Sequence, residues 1–155
     1  MIDIGANLGY MGQAFCRMGA DVILLEPDSF HYDITRMVNE LLHMNCKVIT
    51  QKFEEYNVDE KYDIAIMLTV FYHYFNQEEV RDKFIQHLNE NVTQMIIWES
   101  GGKPEEERHY ILQHTKFQNY IHICYTFATG KFRELGVFIT DDSEYLKYSQ
   151  RGDRK

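Results

Sequence analysis

Residues 1–28 read MIDIGANLGYMGQAFCRMGADVILLEPD and contain a short apolar strand, a glycine turn, an amphipathic helix and a second apolar strand that ends in an acidic residue. The turn holds Gly5 and Gly9, which lack the Cβ atoms that would keep a ligand away from the backbone. Glu26 ends the second strand, at the carboxyl edge where parallel sheets bind ligands, and it can accept hydrogen bonds from both hydroxyls of a ribose. The segment predicts a nucleotide-binding site, with a tight strand-to-helix connection and a solvated strand end as the structural alternatives.

The turn lacks the residues that bind pyrophosphate groups. A dinucleotide fingerprint requires G-x-G-x-x-G, but Asn7 occupies the second glycine position and Tyr10 the third. A P-loop requires G-K-[ST], and no lysine follows the turn where it would meet a phosphate. These differences disfavour NAD and exclude a P-loop nucleotide, which leaves a nucleoside without a pyrophosphate.

Four segments resemble, in order, the motifs of the class I S-adenosylmethionine-dependent methyltransferases. Residues 3–9 (DIGANLG) are similar to the first motif of that family, and residues 25–28 (LEPD) to its acidic second motif. Residues 62–73 are similar to the fourth strand and the loop after it, and residues 95–102 to the fifth strand and its exit. The first two motifs are the more specific, and the later two add weight because they follow in the family's order.

The resemblance implies an α/β fold of the Rossmann-like, doubly wound type, with a mostly parallel sheet, an antiparallel C-terminal edge and a single domain over residues 1–155. It implies S-adenosylmethionine as the cofactor. The cofactor-binding residues that it implies are Asp3, Gly5, Ala6, Asn7, Gly9, Glu26, Pro27, Phe53 and Leu68. In this set the backbone at Gly5 lies against the methionine part, Asp3 orients the amino group directly or through water, and Glu26 holds the ribose. For Phe53 a core position is the alternative.

The segment after the fourth strand supplies the residues predicted to contact the methyl acceptor. S-adenosylmethionine carries an activated methyl group, so transfer needs an in-line nucleophile, a dry pocket and, for a poorly acidic acceptor, a base. The resemblance places this segment where the methyl group emerges, so Tyr72 and His73 are predicted substrate contacts. His73 is also the candidate catalytic base, because imidazoles exchange protons near neutral pH. A histidine packed at a helix start or bonded to the backbone is the alternative.

Three functions fit these motifs. The first is a methyltransferase that uses S-adenosylmethionine and acts on a small-molecule, sugar or peptide acceptor. The second is a non-catalytic S-adenosylmethionine-binding or regulatory module of the same fold. The third is an enzyme that degrades S-adenosylmethionine or uses another nucleoside, because a fold alone does not determine the reaction.

The composition and net charge limit the classes of partner that the chain is expected to bind. The 155 residues are 45% hydrophobic, which fits one domain, and 16 basic against 24 acidic residues give a net charge of -8. This charge disfavours nucleic acid and anionic membranes. The segment after the fourth strand also lacks the [DNS]-P-P-[YF] and Pro-Cys patterns of nucleic-acid methylating enzymes. No apolar run approaches the length of a membrane span, so we expect a small-molecule or peptide partner and no membrane.

The cysteines and the first residues of the chain lead to further expectations. Cys16, Cys46 and Cys124 are widely spaced without a C-x-x-C motif, which favours a reducing compartment and a cytoplasmic protein. No H-x-H or D-x-D cluster accompanies Glu99, so no metal site is predicted. Two residues precede Asp3, whereas the family has a longer first strand after a helix. We therefore expect a fragment, a minimal variant or a chain completed by a partner; the oligomeric state stays open.

The apolar spacing also predicts the first two helices. After the glycine turn, apolar residues recur at helical spacing until Gly19 ends the helix. Asp28 or Ser29 is expected to cap the second helix, whose apolar stripe predicts Met37 and, after it, Met44 as core residues.

The second half of the chain is predicted to continue the alternation of strands and helices. Asn76 and Glu79 match a capping box before the helix that follows the fourth strand. The tail is rich in strand-forming residues, and three segments compete for two strand positions there: 120–127, 132–140 and 145–149.

Overall fold

The computed structural model describes residues 1–56 and 60–149, and the chain divides into two compact units. The N-terminal unit is Met1–Val58 and the C-terminal unit is Asp59–Lys155. The prediction of a single domain stays a prediction. Within the described residues, no helix combines the length and the apolar character that crossing a bilayer requires.

The N-terminal unit is a parallel sheet with two helices between its strands. Its elements, in chain order, are β1 (Ile2–Ile4), α1 (Tyr10–Arg17), β2 (Ile23–Leu25), α2 (Ser29–Leu41), β3 (Lys47–Ile49) and a short 3₁₀ helix, Phe53–Glu55. The strand order is β3-β2-β1, with both pairs parallel. All residues of β1 and β2 are buried, which is typical of a parallel sheet covered on both faces.

Both helices of this unit follow the predicted cap signals, but α2 buries a different face from the one expected. Gly19 follows α1 with a φ of 93°, and Asp28 caps α2 by accepting a hydrogen bond from the backbone N–H of His31 at 2.9 Å. The prediction of Met37 as a core residue is wrong, because its side chain is 61% exposed. The helix instead buries Thr35, while Met44 packs against the core as predicted.

The C-terminal unit combines a parallel strand pair with an antiparallel edge. Its elements are β4 (Tyr62–Leu68), a 3₁₀ helix (Phe71–Tyr74), α3 (Glu78–Asn91), β5 (Val92–Glu99), α4 (Pro104–His114), β6 (Asn119–Ala128), β7 (Lys131–Ile139) and α5 (Leu146–Ser149). The strand order is β4-β5-β7-β6, with β4 and β5 parallel and the other two pairs antiparallel. The predicted α/β class, with parallel strands and an antiparallel C-terminal edge, is confirmed.

The tail resolves into one long hairpin and a short helix. Thr129 and Gly130 have positive φ values of 51° and 74°. Two successive residues with positive φ are typical of a two-residue hairpin loop, because the twist of such a loop matches that of its strands. Of the three segments that compete for two strand positions, 120–127 lies in β6 and 132–140 lies largely in β7, whereas Leu146–Ser149 is helical.

The capping box predicted before α3 is also wrong. The cap residue is Gln77, and it makes no side-chain capping hydrogen bond. The residues before it continue in tight turns, in which the backbone N–H of Gln77 donates to the carbonyl of Tyr74 at 2.9 Å. The helix therefore starts later than Asn76 requires.

Candidate functional site

The glycine turn between β1 and α1 is held tightly against β2. Gly5, Asn7 and Gly9 have φ values of 66°, 53° and 78°, a left-handed conformation that glycine adopts without strain and asparagine more readily than most residues. The backbone N–H groups of Gly5 and Ala6 both donate to the carbonyl of Leu25, at 2.8 and 3.0 Å. The turn therefore has one defined backbone path, and its side-chain-free positions lie where the first motif predicted them.

Asn7 stabilises the turn through its side chain as well as its backbone. Its Oδ1 accepts a hydrogen bond from the N–H of Leu8 at 2.8 Å, and its carbonyl accepts one from the fully buried hydroxyl of Thr35 at 2.7 Å. Thr35 was not singled out from the sequence, because it lies 28 residues away and its contact depends on how α2 packs. It connects α2 directly to the turn.

Two glycines let α1 approach the sheet closely. A Cβ atom on Gly9 would lie 2.8 Å from Cγ2 of Thr35, and one on Gly12 would lie 2.2 Å from Cδ2 of Leu24. Sequence reasoning missed Gly12, and the only available signal was its three-residue spacing from Gly9 within the helix start. Both positions therefore require glycine for packing, and Gly9 requires it for its conformation too.

Glu26 is a buried carboxylate whose orientation is fixed by the main chain. Its side chain is 6% exposed, which contradicts the solvated strand end considered from the sequence. Oε2 accepts a hydrogen bond from the N–H of Asn7 at 2.7 Å, and Oε1 accepts one from the N–H of Asp28 at 2.8 Å. Each oxygen retains a second acceptor site. Pro27, between Glu26 and Asp28 in the sequence, is exposed and has no backbone N–H to donate.

Asp3 is a second buried carboxylate, and its charge is costly. Its Oδ2 accepts a hydrogen bond from the N–H of Gly12 at 2.9 Å. Burial, with a smaller effect from the negative charge of Glu26, raises the pKa of Asp3 to about 7, although the Gly12 hydrogen bond acts in the opposite direction. A cation bound beside Asp3 would stabilise its ionised form.

Phe53 and Leu68 have different surroundings. Phe53 is 3% exposed and begins the short 3₁₀ helix after β3, so its side chain is a buried core residue. Leu68 is the last residue of β4 and is half-buried. The residue after it, Thr69, has a φ of 52°, and its N–H donates to the carbonyl of Glu99 at 2.9 Å. This left-handed residue redirects the chain at the end of β4.

The predicted acceptor residues, Tyr72 and His73, are exposed on the 3₁₀ helix that follows β4. Tyr72 is 40% exposed, and its ring centroid lies 3.9 Å from that of the exposed His73. Phe71 is fully buried, and the half-buried ring of Tyr74 contacts Phe84 instead, with centroids 4.7 Å apart. His73 is therefore exposed, and its ring contacts that of Tyr72.

The carboxylate of Glu99, at the end of β5, is bound by residues of the β6–β7 hairpin. Its Oε1 accepts a hydrogen bond from the hydroxyl of Thr126 at 2.6 Å, and its Oε2 lies 3.6 Å from a guanidinium nitrogen of Arg133. Among residues 1–56 and 60–149, no cluster of three or more histidine, cysteine, aspartate or glutamate residues is arranged to hold a metal ion.

Comparisons with known proteins point to one group of enzymes. No protein-family model matches the chain. A ubiquinone biosynthesis O-methyltransferase from Bradyrhizobium sp. (strain ORS 278) is 29% identical over 73 residues, which covers 47% of this chain and 29% of that relative. A second one, from Nitrobacter winogradskyi, is 27% identical over 73 residues, covering 47% of this chain and 28% of the relative. The chain thus matches less than a third of the length of either relative.

Solved structures of methyltransferases share the fold over most of the chain. The magnesium protoporphyrin IX methyltransferase of Synechocystis PCC 6803 with bound SAM superimposes with a TM-score of 0.74 at 20% identity, covering 90% of this chain and 69% of the other. The N-methyltransferase NodS of Bradyrhizobium japonicum WM9 gives a TM-score of 0.72 at 8% identity, covering 90% and 84%. The predicted resemblance to the class I S-adenosylmethionine-dependent methyltransferases is confirmed, and their Rossmann-like fold is the fold of this chain.

Proposed function

We propose that this chain binds S-adenosylmethionine and transfers its methyl group to a small-molecule, sugar or peptide acceptor. The observation that carries the proposal is Glu26, a buried carboxylate at the end of β2 whose two oxygens each accept one backbone hydrogen bond, at 2.7 and 2.8 Å, and each retain a free acceptor site. A ribose offers two neighbouring hydroxyl donors, which is the matching set.

The charge of the N-terminal unit supports a cationic ligand. S-adenosylmethionine carries a sulfonium and an ammonium group, and the buried carboxylates of Asp3 and Glu26 are both anionic when ionised. The pKa of Asp3 is raised mainly by burial, with a smaller effect from the negative charge of Glu26, so a cation bound beside Asp3 would favour its ionised form. A dinucleotide, whose pyrophosphate is anionic, fits these charges poorly.

The remaining cofactor contacts follow the resemblance. The residues that we propose to contact the cofactor are Asp3, Gly5, Ala6, Asn7, Gly9, Glu26, Pro27, Phe53 and Leu68. The left-handed turn at Gly5 and Gly9 supports this assignment, because it exposes main chain that carries no Cβ atom. Phe53 differs from the other proposed contacts because its side chain is buried in the hydrophobic core.

His73 is the proposed general base and Tyr72 the proposed substrate contact. Bound S-adenosylmethionine supplies an activated methyl group, so the protein needs to orient the acceptor, exclude water and accept one proton. In methyl transfer the carbon–sulfur bond of the cofactor would break as the acceptor bonds to the methyl carbon, leaving a neutral thioether. The exposed imidazole of His73 can take the proton that the acceptor hydroxyl or amine loses. The relatives are O-methyltransferases and an N-methyltransferase by name, so oxygen and nitrogen acceptors are both to be tested.

The location proposed from the sequence is cytoplasmic. Cys16, Cys46 and Cys124 are all free thiols in the structure, which supports a reducing compartment.

Calorimetric titration with S-adenosylmethionine, S-adenosylhomocysteine and NAD tests the cofactor assignment. We expect both adenosyl ligands to bind in the micromolar range, on the order of -8 kcal/mol, and NAD not to bind. Glu26→Gln should weaken binding by about 1.5–3 kcal/mol, because a charged acceptor is lost. Glu55→Gln, an exposed glutamate of the same unit, is the matched control and should bind normally.

The outcomes separate the three functions. Failure of both adenosyl ligands to bind would overturn the proposal, as would normal binding by Glu26→Gln. Binding without methyl transfer to any acceptor class would favour the non-catalytic module. Release of methylthioadenosine would favour a degradative enzyme.

A further inference from the structure

A buried glutamate holds the loop that follows β5. Glu107 lies in the first turn of α4 and is 1% exposed. Its carboxylate accepts hydrogen bonds from the successive backbone N–H groups of Gly101, Gly102 and Lys103, at 3.1, 3.2 and 3.2 Å. Burial raises the pKa of Glu107, and these N–H groups oppose that effect. Three donors on one carboxylate give the loop a single conformation.

The ring of Tyr72 packs directly onto this loop. A Cβ atom on Gly101 would lie 1.9 Å from Cδ1 of Tyr72 and 2.5 Å from its Cβ, so any other residue at this position would force the whole Tyr72 side chain to move. A Cβ atom on Gly102 would meet nothing within 4 Å. The close contact is therefore specific to Gly101.

Tyr72 in turn contacts His73. Their ring centroids are 3.9 Å apart with planes at 34°, and both side chains are exposed. An exposed side chain without such a contact samples several rotamers, whereas one packed against a fixed neighbour is restricted.

We propose that Gly101 and Glu107 form a seat for Tyr72 and thereby position the imidazole of His73 for proton transfer. The proposal rests on the proposed function, in which Tyr72 and His73 serve the methyl acceptor. Glu107 and Gly101 are positioning residues, since they act through Tyr72. A base must lie within hydrogen-bond reach of the proton that it removes, so the direction of the imidazole matters more than its presence.

NMR spectroscopy of the His73 ring protons tests the seat without an acceptor or a cofactor. The Tyr72 ring current should displace these resonances from their positions in Tyr72→Leu. Gly101→Ala should abolish that displacement, because its methyl group expels Tyr72. Gly102→Ala, which adds the same methyl group to open space, should retain it. Unchanged His73 resonances in a folded Gly101→Ala protein would overturn the proposal.

A double variant covers the case in which Gly101→Ala fails to fold. Combining it with Tyr72→Gly removes the Tyr72 atoms that the added methyl group would meet, so the double variant should be as stable as Tyr72→Gly alone. If Gly101→Ala remains as destabilising without Tyr72, the glycine serves another contact and the seat is excluded.

Measurements of methyl-transfer rates then test whether the position of Tyr72 affects catalysis. Gly101→Ala and Glu107→Gln should lower kcat on the order of ten- to hundredfold, as expected for a displaced catalytic group, with S-adenosylmethionine affinity within twofold of the parent. The rate lost should not return at higher acceptor concentration. Unchanged kcat would overturn the positioning role. Failure of the parent to bind the cofactor would instead contradict the proposed function.

Discussion

Two buried glutamates, one in each unit of this protein, are held in different ways. In the N-terminal unit, Glu26 is held by main-chain N–H groups at Asn7 and Asp28, within 19 residues along the chain. In the C-terminal unit, the buried Glu134 is held by side chains, since it accepts hydrogen bonds from Arg108 and from Tyr120. A site built from main-chain donors can be predicted from a short sequence motif. A site built from side chains depends on contacts between residues far apart in the sequence, which no short motif predicts.

The largest expected effect comes from removing the side-chain network of the C-terminal unit. Glu134→Ala leaves Arg108 and the Tyr120 hydroxyl without their shared partner, so we expect a loss of about 3–5 kcal/mol in the free energy of unfolding. Urea denaturation measures it, with the exposed Glu144→Ala as control. A loss below 1 kcal/mol, within the range of an exposed ion pair, would remove the contrast between Glu26 and Glu134.

The next effect is the pH dependence of Asp3. An acid whose pKa is raised on folding stabilises the protein fully below its unfolded pKa of 3.8, and that contribution is lost as the pH rises toward about 7. Asp3→Asn does not ionise, so relative to the parent it should gain about 2–4 kcal/mol between pH 4 and pH 8. Urea denaturation at both pH values measures the difference. A constant difference would show that Asp3 titrates normally.

A smaller effect is expected from the close packing of α1. Gly12→Ala places a methyl group 2.2 Å from a carbon of Leu24 and 2.9 Å from Oδ2 of Asp3. We expect a loss of about 1–3 kcal/mol in the free energy of unfolding. Gly102→Ala is the control, because its methyl group enters open space. Equal thermal melting of the two variants would contradict the close approach of α1.

The smallest effect is expected from Asp28→Ala, which tests whether the Glu26 site depends on main-chain donors alone. Asp28→Ala removes the side chain that caps α2 but leaves the backbone N–H that bonds Glu26. The variant should lose about 1 kcal/mol of stability and retain its affinity for S-adenosylmethionine. A large loss of affinity, measured by calorimetry, would show that the Glu26 site needs the Asp28 side chain.

The local features were predictable and the close approaches were not. The left-handed turn at Gly5 and Gly9 and the cap at Asp28 depend on residues a few positions apart, so their spacing predicts them. Gly12 and Thr35 depend on how helices lie on the sheet, which no spacing specifies. Met37 is a further example, because an apolar stripe on a helix predicts a buried face but does not show whether another element covers it.

The segment that holds the proposed acceptor contacts was predictable only in part. Its position after β4 agrees with the sequence interpretation, but the exposure of both Tyr72 and His73 was not predicted. The contact of Tyr72 with Gly101 joins two loops that are far apart in sequence, and a glycine at the end of a strand gives no sign of what packs on it. The hairpin turn at Thr129 and Gly130 was missed because threonine seldom adopts its left-handed conformation.

The main-chain donors at Asn7 and Asp28 make the Glu26 site tolerant of mutational drift. A substitution at either position changes a side chain but not the N–H that holds the carboxylate, provided that the new residue is not proline and that position 7 keeps its left-handed conformation. The geometry of this site therefore depends on one acidic side chain and on a backbone path, and the side chain of Asp28 is free to change.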